Sequence, residues 1–521
     1  MADRRLLIVK ADLVDTGFSG LLTATVFLPV AGAVFILLLV RGDRNIRLVA
    51  ALVALADLVL TLLVFGLFSR GEGAERFQFI DQFTWIPAES LKANYLLGVD
   101  GLSAPLVALT GILGLCAVLA SWRIDNRVRE HFVWLLVLQT AVMGVFSSLD
   151  LLLFFLFWEL ELVPMYMLIA IWGTGRKEYS AMKFLMFTIL GSAFMLVAIV
   201  AVFLTPDVGT VDMRVLSTQG TMLGAGVLVP LGALFWLFFI GFAIKLPVWP
   251  LHTWLPDAHT NAPTAASVML AGVLLKMGGY GLLRINVGMF PGQAQQYAWA
   301  LVTLGVISVL YGAVVTLRQT DLKRLIAYSS VSHMGLVLVG IGSIGVTQGE
   351  LTSAGLNGAA MQLFTHGTIT GLLFLGAGLV YDKTHTRYIP DLGGLAGRMP
   401  LVAAGLLIAG FASLGLPGLS GFVSEVLVFL GAFRAYPWPT ALAVSAIVLA
   451  AGYILWMMER AFFGVRRERF AQVTDASFVE ALPMAILVIT IVGIGVYPSI
   501  LTEVFEYGLR PMVALIPVAV P

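Results

Sequence analysis

Three charged side chains stand where so apolar a chain has no ordinary use for them. Lys245 ends an apolar stretch from Val227 to Ile244 and is followed at once by Pro247 and Pro250. Lys276 is embedded between Val273-Leu274-Leu275 and Met277, and Glu425 follows a Pro/Gly interruption, Leu416-Pro417-Gly418-Leu419-Ser420-Gly421. A charge at the centre of a membrane helix costs about 2.5 to 3.5 kcal/mol on the insertion scale, so an ionisable residue at such a place marks a proton or cation pathway by default. An ammonium and a carboxylate about 4 Å apart attract by about 4 kcal/mol at an effective dielectric of about 20. Moving an acid toward or away from a buried lysine therefore loads and unloads a proton.

Other titratable residues are weighed beside these. Glu159 and Glu161 are two apart and cannot share a helix face, so at most one points along a given route, and their spacing does not choose between them. Asp57 stands alone on the second apolar segment, as a structural partner or a site. Lys183 follows Tyr179 and Ser180 closely enough to snorkel toward the interface, which weakens it as a candidate. His252 and His259 flank Trp254, Pro256 and Asp257 after Lys245. A third firm ligand and a ligand spacing are missing, so no metal site is expected. Neutral imidazoles that relay protons near pH 7 compete there with a structural cap. His333 and His366 lie among Ser, Thr, Met and Gly in later segments; they bridge Lys276 and Glu425 through water, or they only pack.

The elements that must hold these residues are membrane helices. The chain is 59% hydrophobic and 12% charged with mean hydropathy +0.96, outside the range of soluble domains. Apolar runs predict an all-α polytopic protein of about fourteen transmembrane segments, near residues 21–40, 48–68, 100–122, 132–148, 150–172, 181–204, 227–247, 264–284, 296–317, 325–346, 355–381, 400–435, 438–460 and 480–502. The first is expected to be a retained helix, because no small-residue cleavage pattern follows it. Residues 69–99 are expected to form an external loop. Helices four to eight and nine to thirteen read as two inverted five-helix repeats, each with its fourth helix broken, at 227–260 and at 400–435. The organisation is then helices one to three in 1–131, a first repeat in 132–290, a second in 291–463 and a last helix in 464–521. Fifty-four glycines suit closely packed membrane helices.

Of the 31 Lys and Arg, 18 fall in odd-numbered loops and seven in even-numbered loops and the C-terminal tail. The odd loops are therefore expected on the cytoplasmic side and both termini outside, against the minor opposition of Arg4, Arg5 and Lys10. A net charge of +1 without a basic stripe gives no case for nucleic acid. The single cysteine, Cys116, excludes an internal disulfide or a cysteine-ligated cluster within the chain and reads as a packing residue. Gly340-Ile-Gly342-Ser-Ile-Gly345 matches a dinucleotide fingerprint in letters only; it ends an apolar helix with no βαβ unit around it, so the chain is not expected to bind NADH.

Four runs carry a resemblance. FAIKLPVWPLHTWLPDAHTNAPTAASVMLAGVLLKMGGYGLLR spans Phe242 to Arg284, LLFFLFWELELVPMYMLIAIWG precedes it, LKRLIAYSSVSHMG spans Leu322 to Gly335, and GLPGLSGFVSE spans Gly415 to Glu425. Over nearly its whole length the chain resembles the antiporter-like subunit M, or chain 4, family of proton-pumping NADH:quinone oxidoreductase, respiratory complex I. The resemblance implies that Glu159 partners Lys245, that Lys276 connects the two halves, and that Glu425 lies at the exit half-channel; Glu161 is outside the matched motif. It further implies no cofactor in this chain, other membrane-arm subunits as partners, and indirect coupling to NADH and quinone bound elsewhere. A bacterial plasma membrane is the expected location. Two other readings stand beside it: a subunit of a stand-alone multisubunit Na+/H+ antiporter, and a scaffold whose charges only hold helices together. Flavin, iron and quinone reductase activity travelling with the chain would separate the first from these.

Overall fold

A computed structural model describes residues 19–71, 73–88, 91–205, 210–219, 229–345 and 350–516. Arg4, Arg5 and Lys10 lie outside the described residues. The elements are α1 (Leu21–Leu39), α2 (Asp43–Leu67), β1 (Gln78–Ala88), β2 (Leu91–Val99), α3 (Ala104–Ala120), α4 (Val128–Ser147), α5 (Leu151–Leu160), α6 (Leu162–Trp172), α7 (Lys177–Phe203), α8 (Met213–Gln219) and α9 (Leu231–Lys245). There follow α10 (Trp254–Asn261), α11 (Thr264–Met269), α12 (Leu275–Gly281), α13 (Pro291–Gln296), α14 (Ala298–Thr316), α15 (Leu322–Gly342) and α16 (Glu350–Thr384). The chain ends with α17 (Pro400–Ser413), α18 (Ser420–Ala435), α19 (Pro437–Met458), α20 (Phe478–Val496) and α21 (Ser499–Ala514).

Among the described residues, eleven helical stretches are long and apolar enough to cross a membrane, and three shorter apolar helices, α3, α9 and α17, accompany them. The chain is thus a helical, multi-pass membrane protein. α9 and α17 are short for a local reason. Pro247 and Pro250 cannot donate to a continuing helix after Lys245; after α17, Pro417 lacks the donor likewise, and Gly415 and Gly418 take positive φ that an α-helix does not continue.

Burial sorts the helices into two shells. The windows of Thr264–Val287 and Ser353–Thr384 are 100% buried, whereas those of Asp43–Leu67 and Phe478–Val496 are 28% buried. The inner pair carries Lys276 and His366; the outer helices present leucines such as Leu52, Leu62 and Leu63 to their surroundings. Apolar side chains on the outside and ionisable ones within is the arrangement that hydrocarbon solvent demands.

Two elements depart from the expectation. The stretch anticipated as a loop holds an antiparallel hairpin, β1 on β2, with Phe83 opposite Tyr95. Its buried Asp81 accepts hydrogen bonds from the backbone N–H of Gly20 and Thr23 at 2.8 Å each, so a carboxylate satisfies the open donors at the start of α1. The last predicted helix also stops earlier, at Val496, and amphipathic α21 follows it, packed on α16, α3 and α20.

Candidate functional site

Pro164 has no N–H for the carbonyl of Leu160, so the hydrogen-bond ladder breaks between α5 and α6, while Glu161 at the junction keeps helical dihedrals and Leu151–Trp172 runs on as one span. Asp150 fixes the start of α5 by accepting from the N–H groups of Leu152 (2.9 Å) and Leu153 (3.1 Å). Across from this break stands the end of α9. Lys245 is its last residue, where the helix dipole favours a cation. The indole N–H of Trp254, beyond the break, donates to the carbonyl of Ile244 at 2.9 Å and takes up an acceptor freed there.

Lys245 is 1% exposed and forms an ion pair with Glu161, which is 0% exposed. The ammonium also lies 5.3 Å from the Trp158 ring centroid and 5.4 Å from that of Phe184. The pairing differs from the one implied by resemblance. Glu159 is only partly buried, its Oε1 has no hydrogen-bond partner, and its charge acts on Lys245 without the ion-pair contact that Glu161 makes. Two helix positions differ by about 200° in direction, so one acid faces α9 and the other turns away. Glu161 lies on the buried face of this helix with Trp158 and Met165, three and four residues away, and so faces inward.

The second group forms a longer line. Lys276 is flanked by π-helical segments, Leu270–Leu274 and Leu282–Val287. Such wider turns re-aim backbone groups and recur at functional sites. Its buried ammonium donates to the carbonyl of Ala271 in the first of them and lies 2.8 Å from Nδ1 of His366 on α16. His366 Nε2 is buried and has no hydrogen-bond partner among the described residues. The His366 and His333 rings are 5.7 Å apart between centroids. His333, on α15, places Nε2 3.0 Å from Ser413 Oγ and Nδ1 3.5 Å from Glu425 Oε1. A cavity of about 20 Å³ bordered by Ser332, His333, Ser413 and Glu425 has room for a single water. Lys276, His366, His333 and Glu425 thus follow one another across four elements.

Close backbone approach ties the two groups together. A Cβ on Gly278 would fall 2.6 Å from the N of Leu246 and 2.7 Å from the carbonyl oxygen of Phe242, so α12 lies directly against the end of α9. Lys276 is two residues from that contact and Lys245 is beside it.

The remaining candidates fall around this frame. Lys183 does not snorkel alone but pairs with Asp257 of α10 at 2.7 Å. His252 is buried, with its ring 5.0 Å from that of Tyr311 and Nδ1 without a partner. His259 stacks on Phe374 at 4.4 Å, and both its ring nitrogens are buried without partners. Among the described residues no three His, Cys, Asp or Glu side chains gather as a metal site would require. Asp57 accepts from Gln139 Nε2 at 2.6 Å and stands apart from the line. Cys116 is buried in the core.

Spacing left Glu159 and Glu161 open and the resemblance implied Glu159, whereas the ion pair in this structure is made by Glu161. Lys323, between the segments predicted at 296–317 and 325–346, counts among the odd-loop cations, and Arg284, at the very end of the segment 264–284, among the even-loop ones. Both are 3% exposed: Lys323 donates to the carbonyl of Ala262, and Arg284 pairs with Asp100, its Nη1 2.7 Å from Oδ2. One basic residue leaves each set of loops, so the charge bias keeps its direction.

Broken helices that bring buried lysines, histidines and carboxylates together inside a membrane domain define the class of antiporter-like ion carriers. The chain belongs to the NADH:quinone oxidoreductase/Mrp antiporter transmembrane family, whose sequence profile matches residues 148–450. It is similar to NADH-quinone oxidoreductase subunit M of Rhodobacter capsulatus, 40% identical over 500 residues that cover 93% of this chain and 94% of that protein. A chain in the structure of respiratory complex I from Thermus thermophilus with bound NADH matches at a TM-score of 0.84 and 30% identity, over 95% of this chain and 100% of that one. A chain of the Mrp complex from a Dietzia species matches at 0.78 and 21% identity, over 94% and 96%, a likeness of fold.

Proposed function

We propose that this chain is a proton-translocating membrane-arm subunit of an NADH:quinone oxidoreductase. It sits among other membrane-arm subunits in a bacterial plasma membrane, basic loops toward the cytoplasm and both termini outward. NADH, quinone and the redox cofactors belong to partner subunits, and this chain holds no cofactor of its own. The observation that carries the reading is the side-chain line Lys276–His366–His333–Glu425 beside the Lys245–Glu161 pair.

The chemistry follows from charge. While Glu161 stays against Lys245 the ammonium form is favoured; when the acid swings away, a desolvated ammonium gives up its proton more readily. The change in charge beside the α9–α12 contact then acts on Lys276. A proton leaving Lys276 passes to the imidazole of His366, on to His333, and reaches Glu425, whose carboxylate delivers it outward. Each step needs a neutral acceptor within reach of a donor, which imidazole supplies near pH 7.

The test is Glu425→Gln, which keeps volume and hydrogen bonding but cannot exchange a proton. Proton uptake into inside-out vesicles should be lost, while NADH oxidation with an artificial acceptor, a measure of assembly, persists. Full pumping by this variant would reject Glu425 as the outward group. Loss of both signals would make it a structural residue. Flavin, iron and quinone reductase activity should copurify with the chain; their absence would favour a stand-alone Na+/H+ antiporter.

A further inference from the structure

A second polar region lies away from the line just described. A cavity of about 340 Å³ opens beneath the basic loops, lined among others by Ser121, Arg123, His131, Lys323, Asp382 and His385. Asp382 and His385 are exposed to solvent at this end, whereas Lys323 is 3% exposed. Lys323 comes one residue into α15, whose N-cap is Asp321. Its ammonium donates to the carbonyl of Ala262 at 2.8 Å, at the join between α10 and α11. Ala262 also lines the cavity.

An ammonium has three N–H groups, and holding α15 against α10 uses one of them. His259 lies one turn before Ala262, and both of its buried ring nitrogens have no hydrogen-bond partner among the described residues. Orphaned polar atoms at full burial are rare and call for a reason. Lys323 and Lys276 are both near enough for their charges to act on His259. A lysine at a polar cavity, a buried imidazole and the first member of the internal line therefore meet around His259.

We propose that Lys323 and His259 form a proton-uptake route from the cavity beneath the basic loops to Lys276. The route rests on the proton-translocating function proposed above and extends it, because it lets the second half of the protein fill without passing through the Lys245–Glu161 pair. Once Lys323 has passed its proton on, an excess proton from the basic-loop side, carried through the cavity water, restores the ammonium. The ammonium passes it toward one His259 nitrogen, and the imidazole releases the proton of its other nitrogen toward Lys276. Water spans the gaps, and the steps conserve protons and need no redox partner.

Two experiments on the assembled complex test this. In the first, Ala120→Cys on the cavity wall is made in a Cys116→Ser background and treated with a membrane-impermeant cationic methanethiosulfonate from either face. Treated Cys116→Ser complex is the control. Modification should occur only from the basic-loop face and cut proton uptake at least fivefold, with artificial-acceptor NADH oxidation unchanged. No modification from that face, or full modification with normal uptake, overturns the route.

In the second, Lys323→Met and Lys323→Arg are compared. Arginine keeps the charge and the donor to Ala262 but does not release its proton. Both variants should therefore lose pumping at least tenfold. Restoration by Arg would make Lys323 a tie between helices and overturn the proposal, and if either variant fails to assemble the cysteine experiment decides. Normal pumping by Lys323→Met with pumping lost in Glu425→Gln rejects the route alone. Normal pumping in both rejects the underlying function as well.

Discussion

The two interior groups solve the cost of buried charge in different ways. Around Lys245 the solution is a single ion pair, closed by the rings of Trp158 and Phe184. Around Lys276 no acid among the described residues is in contact; the ammonium rests on a π-helix carbonyl and a histidine, and the acid, Glu425, lies two imidazoles away. A desolvated pair couples charge to position, because separating its partners leaves a charge uncompensated at a cost of about 3 to 5 kcal/mol unless a proton moves with the separation. A line of neutral acceptors has no such stake in one arrangement. The first group suits a switch and the second suits a conduit, and the contact at Gly278 puts the switch against the conduit's first member.

The largest effect should come from breaking the switch. Lys245→Ala leaves Glu161 buried without a cation, and proton pumping and coupled quinone reductase activity should fall together to a few per cent of wild type while artificial-acceptor oxidation persists. Lys245→Arg keeps the pair but not the proton release, and it should fail equally in pumping. Near-normal uptake in vesicles of either variant would mean that the pair is structural.

The same comparison is sharpened at the two acids. Glu161→Gln removes the contact partner of Lys245, and Glu159→Gln removes only a more distant charge. Activity should fall further in Glu161→Gln, by roughly tenfold relative to Glu159→Gln, and Glu161→Asp should recover part of it. The reverse order in measured quinone reductase and pumping rates would mean that Lys245 moves to Glu159 during turnover.

On the conduit, His366→Leu removes the side-chain partner of Lys276. Pumping should drop several-fold, less than in Lys245→Ala, since water entering the space left by the ring takes over part of the transfer. An unchanged ratio of protons pumped to NADH oxidised would show that the line passes elsewhere.

How much of this was legible in the sequence depends on whether the signal was local. The breaks after Lys245 and before Glu425 are written as Pro and Gly, and the residues beside them were identifiable because proline and glycine act on their own neighbours. The membrane class followed from apolar run length alone. The pairing of Lys245 was not local. It depended on which face of the helix meets α9, and two acids at a spacing of two differ only in direction. Lys323 was hidden in the opposite way. Counted with loop cations by position, it lies in a helix whose start is fixed by the Asp321 cap and whose first turn is covered by residues about sixty positions earlier in the chain. The hairpin beneath α1 needed the tertiary contact of Asp81 to be seen.

The smallest expected effect separates a backbone requirement from a site requirement at the second break. Gly415 has φ +68°, and a Cβ there would meet Glu425 Oε2 at 2.5 Å. Gly418 has φ +88° with nothing within 4 Å of its Cβ position. Alanine at either place bears the left-handed strain of about 1 to 2 kcal/mol, but only Gly415→Ala also displaces the carboxylate from its place beside His333. The two variants should therefore lose similar stability in a thermal melt of the purified complex. Pumping should fall two- to fivefold in Gly415→Ala and remain near wild type in Gly418→Ala. Equal pumping in the two would assign the effect to the broken backbone and not to Glu425. A greater loss in Gly418→Ala would mean that the break moves in turnover and needs its freedom at Gly418 more than Glu425 needs its position.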